Sequence, residues 1–249
     1  MPEGDSVWRA AHRLHEALAG KTLTRCDIRV PRYATIDFTG HTVDEVVPRG
    51  KHLLTRIGAA TIHTHLKMEG SWHVYRNGQR WREPAFRARI VLATEDAEAV
   101  GFSLGKVEVL ARNEEDKAVG HLGPDLLGAD WDADEAVRRL LQDPQRPIGL
   151  ALLDQRNLAG IGNIFRSEAC FVRRVDPRTP TGEIEDLHAL VEESRRLLTM
   201  SISKRRHQSL IYGRARMPCP RCGANIISFQ LGDDPNQDRR AYLCPRCQG

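Results

Sequence analysis

From Val7 onward apolar side chains return at helical spacing (Val7, Ala11, Leu14, Leu18) and Gly20 ends the pattern, which predicts an N-terminal helix with Asp5 as its N-cap. The period then changes. In "TIHTHLKM", Ile62, Thr64, Leu66 and Met68 alternate with Thr61, His63, His65 and Lys67, the two-residue repeat of a strand. "CDIRV", "GKHLLTRI", "WHVYR", "ARIVLAT" and "KVEVLA" share that style, so residues 1–112 predict one helix followed by an antiparallel sandwich or barrel. A turn-rich acidic connector occupies 113–131. Beyond it the period is helical again: Val137, Leu140 and Leu141 share a face, Pro147 stands where an N1 proline would, and "NIFRSEACFVR" and "EIEDLHALVEESRRLLTMSISK" complete a helical bundle over 132–212. Residues 213–249 form a last, cysteine-rich segment. The expected class is α+β, in two lobes.

A chain of 249 residues with 41% hydrophobic and 28% charged residues reads as a globular protein with a sizeable core. No apolar run approaches the roughly 18 residues that span a bilayer, and the start lacks the layout of a secretory signal, so a cytoplasmic location is expected. The net charge of +4 is unevenly placed. Six Lys/Arg and no acid fall between Ser203 and Arg221, whereas Asn113–Gln145 holds nine Asp/Glu against three Lys/Arg. A basic C-terminal segment behind an acidic connector suits a polyanion, and equally a solvated face.

Four of the six cysteines lie in the final 31 residues, as Cys219-x2-Cys222 and Cys244-x2-Cys247 with 21 residues between the pairs. Each CxxC turn can offer two thiolates from one side, the ligand set of a structural zinc ion; paired disulfides are disfavoured without a secretory signal. Cys26 and Cys170 sit in apolar contexts and read as buried filler. In "NLAGIGNIF", Gly160 and Gly162 permit positive φ and close backbone approach, and the helix starting near Asn163 presents free N–H groups, an arrangement suited to one phosphate. A plain interhelical turn would also read this way. The opening "MPEG" places a secondary amine beside a carboxyl group once Met1 is removed, or else is only a leader.

Five segments in order resemble the formamidopyrimidine-DNA glycosylase / endonuclease VIII family: "PEG" after Met1, "RGKHLL", "HLKMEGSW", "LLDQRNLAGIGNIFRSEA" and the terminal four-cysteine finger. The resemblance covers nearly the whole chain. It implies an N-terminal helix plus β-sandwich lobe, a helix–two-turn–helix module and a zinc finger holding one structural ion. It also implies a bifunctional DNA glycosylase/AP lyase of base excision repair, acting as a monomer on damaged DNA, duplex or single-stranded, in the bacterial cytosol or nucleoid. By motif, Pro2 resembles the nucleophile that forms a Schiff base, Glu3 its acid/base partner and Lys51 a lysine that contacts phosphate near the lesion. Met68 resembles the side chain that fills the gap left by a flipped base, Gly162 and Asn163 the phosphate-gripping turn, and Arg239 the finger arginine five residues before Cys244. Members specialised for oxidised purines carry an Asp-Pro-Arg-Arg-Phe-Gly stretch where this chain has "GFSLGKVEVL". That departure favours the endonuclease VIII side, oxidised pyrimidines and β,δ-elimination. The alternative is a non-catalytic nucleic-acid-binding zinc protein, for which the same turn and finger would serve.

Overall fold

The first helix, α1 (Gly4–Leu18), is anchored by the side chains its period singled out: Val7, Ala11, Leu14 and Leu18 are all buried. Full burial of an aliphatic side chain contributes about 1.5–3 kcal/mol, so this stripe fixes the helix firmly. In this computed structural model, which describes residues 2–203, 209–232 and 240–249, the N-cap is Glu3 rather than Asp5. Glu3 is extended (φ −116°, ψ −174°) and its carbonyl accepts from the Ser6 and Val7 amides. Asp5 sits two residues further in, within the first turn, where a carboxylate still suits the positive helix end, and accepts from Ser6 N and Arg9.

Eight strands follow: β1 (Arg25–Ile28), β2 (Glu45–Arg49), β3 (His52–Ile57), β4 (Ala60–His65), β5 (Ser71–Arg76), β6 (Ala88–Ala93), β7 (Ala97–Phe102) and β8 (Lys106–Ala111). They form two four-stranded antiparallel sheets, ordered β1-β6-β7-β5 and β2-β3-β4-β8. One apolar core joins α1 to both inner faces: Leu53, Ile62 and Val107 from the second sheet meet Ile90, Leu92 and Ala99 from the first. The pleat that sends Leu53, Ile62 and Val107 inward turns His52, His63, Lys106 and Glu108 to the other face of the second sheet. The strand expected through Met68 stops at His65, because Lys67 takes φ +56° and the chain turns.

Residues 113–121, part of the sequence-expected connector, carry the short helix α2 (Glu115–Val119) within this first unit, which runs from Met1 to His121. Glu115 holds it down by accepting from Arg56 and Thr61.

The second unit, Leu122–Gly249, packs α3 (Ala133–Leu140), α4 (Ile148–Ala151), α5 (Asn163–Val172) and α6 (Leu187–Ser203) around Leu140, Ile148, Leu152, Phe165, Leu190 and Leu198. Asp132 caps α3 by accepting from Glu135 N at 2.9 Å. Leu141 closes that helix and lies 45% exposed, so Ala136 and Leu140, with Val137 half-buried, form the packed face instead. Pro147 is the N-cap of α4, one position before the expected N1. The chain ends in the hairpin β9 (Ile227–Gln230) and β10 (Arg240–Leu243). Among the described residues no helix is long and apolar enough to cross a membrane.

Candidate active site and metal centre

Pro2 is half-buried immediately ahead of α1, and Glu3 is only 1% exposed. Both therefore inherit the position of a helix whose far side is locked into the sandwich core. A nitrogen at residue 2 and a buried carboxyl at residue 3 thus stand side by side next to the helix N-terminus. Helix α1 packs against β2 and β3, whose tight hairpin carries Lys51. Arg49 pairs with His52, leaving Gly50 and Lys51 as a two-residue loop with glycine first, and Gly50 supplies the required positive φ (+57°). Met68 tops the β4–β5 turn and is 67% exposed. Leu66 and Trp72 pin that turn into the core, and Gly70 must be glycine: a Cβ there would stand 2.4 Å from the Leu66 carbonyl oxygen.

Beside Lys51 lies a polar chain the residue pattern did not announce. His63 is fully buried; its Nδ1 is 2.7 Å from Glu108 Oε1, and its Nε2 is 2.7 Å from His52 Nδ1. The carboxylate accepts from His63 Nδ1–H, so His63 Nε2 is left to accept from His52 Nδ1–H. Burial, then the neighbouring imidazoles His63, His65 and His121, lower His52 to about 3. Burial and the cations Lys67 and Lys51 lower His65 to about 4. His52 and His65 are therefore neutral in the folded protein, while in the unfolded chain they take up protons near pH 6.5. Folding therefore loses stability as the pH falls below about 6.5 toward the folded values, by on the order of 2–3 kcal/mol per histidine at pH 4.5. Urea unfolding of the first unit is expected to show a lower midpoint near pH 4.5 than near pH 7. The drop should shrink in a His52→Gln, His65→Gln variant; an equal drop in that variant refutes the assignment.

In the second unit the "GIGN" segment is an organised turn. Gly160 takes φ +102°, Gly162 is the N-cap of α5, and Gln155 clasps the loop by accepting from Gly160 N and donating to the Ile161 carbonyl. Asn163 opens α5, and its amide nitrogen donates to the Arg240 carbonyl at 3.0 Å. Arg166, 0% exposed, donates to that same carbonyl, to the Gly149 carbonyl and to Asn163 Oδ1, which orients the amide. Asn163 and Arg166 thus share one acceptor on the strand β10. Glu168, equally buried, accepts from the amides of Leu210, Ile211 and Tyr212 at 2.9–3.1 Å and ties the chain entering the finger to α5. Arg239 lies outside the described residues; its neighbour Arg240 is exposed at the start of β10.

The sulfurs of Cys219, Cys222, Cys244 and Cys247 lie within 4.8 Å of one another. Cys219–Cys247 and Cys222–Cys244 are 4.0 and 3.5 Å apart. Four sulfurs at about 2.3 Å from a tetrahedral zinc would stand about 3.8 Å apart, so the cluster fits that ion. Each knuckle is preformed: Gly223 takes φ +76° and the Arg221 amide donates to Cys219 Sγ, while the Cys247 and Gln248 amides donate to the Cys244 carbonyl. Arg221 reaches the Phe171 and Val172 carbonyls at the end of α5, docking the finger there. Cys170 is fully buried and pushed up to about 12 by desolvation, an inert thiol; Cys26 is only half-buried.

Residues 1–103 match the formamidopyrimidine-DNA glycosylase N-terminal domain, and residues 122–211 match the formamidopyrimidine-DNA glycosylase H2TH domain. The chain is 52% identical to "Probable endonuclease 8 2" of Streptomyces coelicolor, over 100% of this chain and 94% of that protein. It is 47% identical to the DNA-(apurinic or apyrimidinic site) lyase Nei2 of Mycolicibacterium smegmatis, over 100% and 99%. Among solved structures, the Lactococcus lactis formamidopyrimidine-DNA glycosylase bound to DNA containing an AP site shares the fold, with a TM-score of 0.84 and 22% identity over 99% of both chains. On this full-length identity and the two domain matches, the chain belongs to the formamidopyrimidine-DNA glycosylase / endonuclease 8 family.

Proposed function

We propose that this chain is a bifunctional DNA glycosylase/AP lyase of base excision repair, with Pro2 as nucleophile and oxidised pyrimidines as its preferred lesions. The observation that carries the reading is the pairing of Pro2 with buried Glu3 at the anchored end of α1, in a chain 47% identical to a named AP lyase. A base inside a duplex is out of reach, so its nucleotide must be flipped out, at a cost of a few kcal/mol in unstacking. Exposed Met68 is suited to occupy the gap.

The Pro2 lone pair attacks sugar C1′ and the C1′–base bond breaks, its electrons and a proton leaving with the base. Glu3 protonates the ring oxygen as the sugar opens. A secondary amine yields a cationic iminium directly, and that cation acidifies the C2′ hydrogen. Its loss expels the 3′ phosphate by β-elimination, and δ-elimination then releases the 5′ phosphate. An α-amino group has a reference pKa near 8 against about 10.4 for lysine, so a useful fraction is neutral at physiological pH.

Lys51 and Asn163 supply phosphate contacts in this reading, the latter with the Gly162 turn at the α5 N-terminus. Arg239 adds a finger contact. The four cysteines hold one structural zinc ion, which stiffens the finger and takes no part in the chemistry. The active species in this reading is a monomer acting on damaged DNA, duplex or single-stranded.

Borohydride reduction on a panel of duplexes tests the reading. Covalent complexes are expected with abasic and oxidised-pyrimidine DNA, more efficiently than with 8-oxoguanine DNA. Absence of trapping on every duplex would mean a non-catalytic nucleic-acid binder.

A further inference from the structure

Three loops of the first unit converge on one edge. The register places Ser71, where β5 begins, and Ala88, where β6 begins, on either side of Phe102, where β7 ends. The chain entering β5 is the Met68 turn, the chain entering β6 is the 3-10 turn Ala85–Arg87, and residues 103–105 leave β7. Backbone hydrogen bonds join them: Ser103 N to the Arg87 carbonyl at 2.8 Å, and Gly105 N to the His65 carbonyl at 3.1 Å. Gly105 lies so near the Met68 turn that a Cβ there would stand 2.5 Å from Lys67 Cβ.

This edge carries the two most exposed large hydrophobic residues among the described residues, Met68 at 67% and Phe86 at 84%. One exposed apolar side chain is ordinary. Two on loops that are hydrogen-bonded into one edge, set among cations, ask for an occupant. Lys67, Arg87, Arg89 and Lys106 lie on these loops or the strands beside them, with Arg87 paired to Glu83 at 3.0 Å and Lys106 to Glu108 at 2.9 Å, and Glu69 follows Met68. Phosphates answer the cations, and a nucleobase offers the flat face on which an exposed phenyl ring stacks.

We propose that Phe86 is a second DNA-contacting side chain beside Met68, stacking on a base next to the damaged nucleotide. The inference rests on the glycosylase reading above and extends it to a loop that reading does not use. Phe86 grips and takes no part in the chemistry. Its ring holds the distorted duplex open from the β5–β6 loop while Met68 enters from the β4–β5 turn.

The test measures binding of the full-length, zinc-loaded protein to a duplex carrying a reduced abasic analogue, with 2-aminopurine next to the analogue. Phe86→Ala is expected to weaken binding roughly tenfold, within the range for removing one aromatic–base stack, and to remove most of the fluorescence change that the wild type produces. Phe86→Trp should retain both. The salt dependence should not change, because no charge is lost. Val74→Ala, which trims an exposed apolar side chain further along β5, should bind as the wild type. Wild-type affinity and fluorescence in Phe86→Ala overturn the inference, and so does an equal loss in Val74→Ala. The underlying reading fails separately, by the absence of borohydride trapping in the wild-type protein.

Discussion

Adding one residue in front of Pro2 is expected to abolish borohydride trapping. The addition converts the secondary amine into an amide, whose nitrogen lone pair is delocalised into the carbonyl and no longer attacks C1′. The N-terminal helix should tolerate the change, because α1 is held by Val7, Ala11, Leu14 and Leu18 and not by residue 2. The comparison is clean: duplex binding should persist while covalent capture falls to background. The unblocked protein should lack Met1 by intact mass, and its trapped peptide should be the N-terminal one. Pro2→Ala leaves a primary amine and should keep partial lyase activity. Glu3→Gln should impair base excision more than cleavage of a preformed abasic site, which needs no base departure. Full trapping by the blocked protein would move the nucleophile to a lysine, with Lys51 the first to test.

Cys244→Ser should be the most damaging single substitution outside the first unit. A structural zinc site contributes roughly 10–16 kcal/mol in isolated fingers, and the small core around Phe171, Ile211, Ile226, Cys219 and Cys244 is too slight to replace it. Without the dication, close-packed thiols do not ionise together: neighbouring sulfurs hold Cys247 well above the usual thiol range while the Ala224 amide draws Cys222 below it. The variant should bind no zinc, lose at least tenfold in DNA affinity, and keep the thermal unfolding of the β-sandwich unit. Metal analysis of the wild-type protein, purified without chelators, should give one zinc per chain. Zinc-free wild-type protein with full DNA affinity would refute the assignment.

What was legible in the sequence was local. The CxxC knuckles fix their own turns, the helical period of α1 needs no partner to be seen, and Gly160 and Gly162 mark their loop by residue type. What was not legible depends on partners far along the chain. His63 alternates like any outward strand residue, yet it is buried because Glu108, forty-five positions later, supplies its acceptor across the β4–β8 pair. Arg166 and Glu168 are the two charged residues of α5, and that contrast was the available signal. Their roles depend on the Arg240 carbonyl and on the amides of Leu210–Tyr212, which no local spacing announces. Asp5 misled because it is a good cap by type, whereas Glu3 occupies the position through its backbone alone.

The polar face of the second sheet has a consequence for how the chain chooses its fold. Strands with one apolar and one solvated face lose burial when they slip by one residue; here a slip of β4 would do more. It would drive His63 and His65 into the layer of Leu53 and Val107 and lift Ile62 toward Arg56 and Glu115. The displaced His63 would lose the Glu108 and His52 partners that make its burial tolerable. Mispaired sheets are thus penalised on both faces at once. The hydrogen-bonded histidines act as a key that only the native alignment accepts, and the hairpin carrying Lys51 is set by the same alignment.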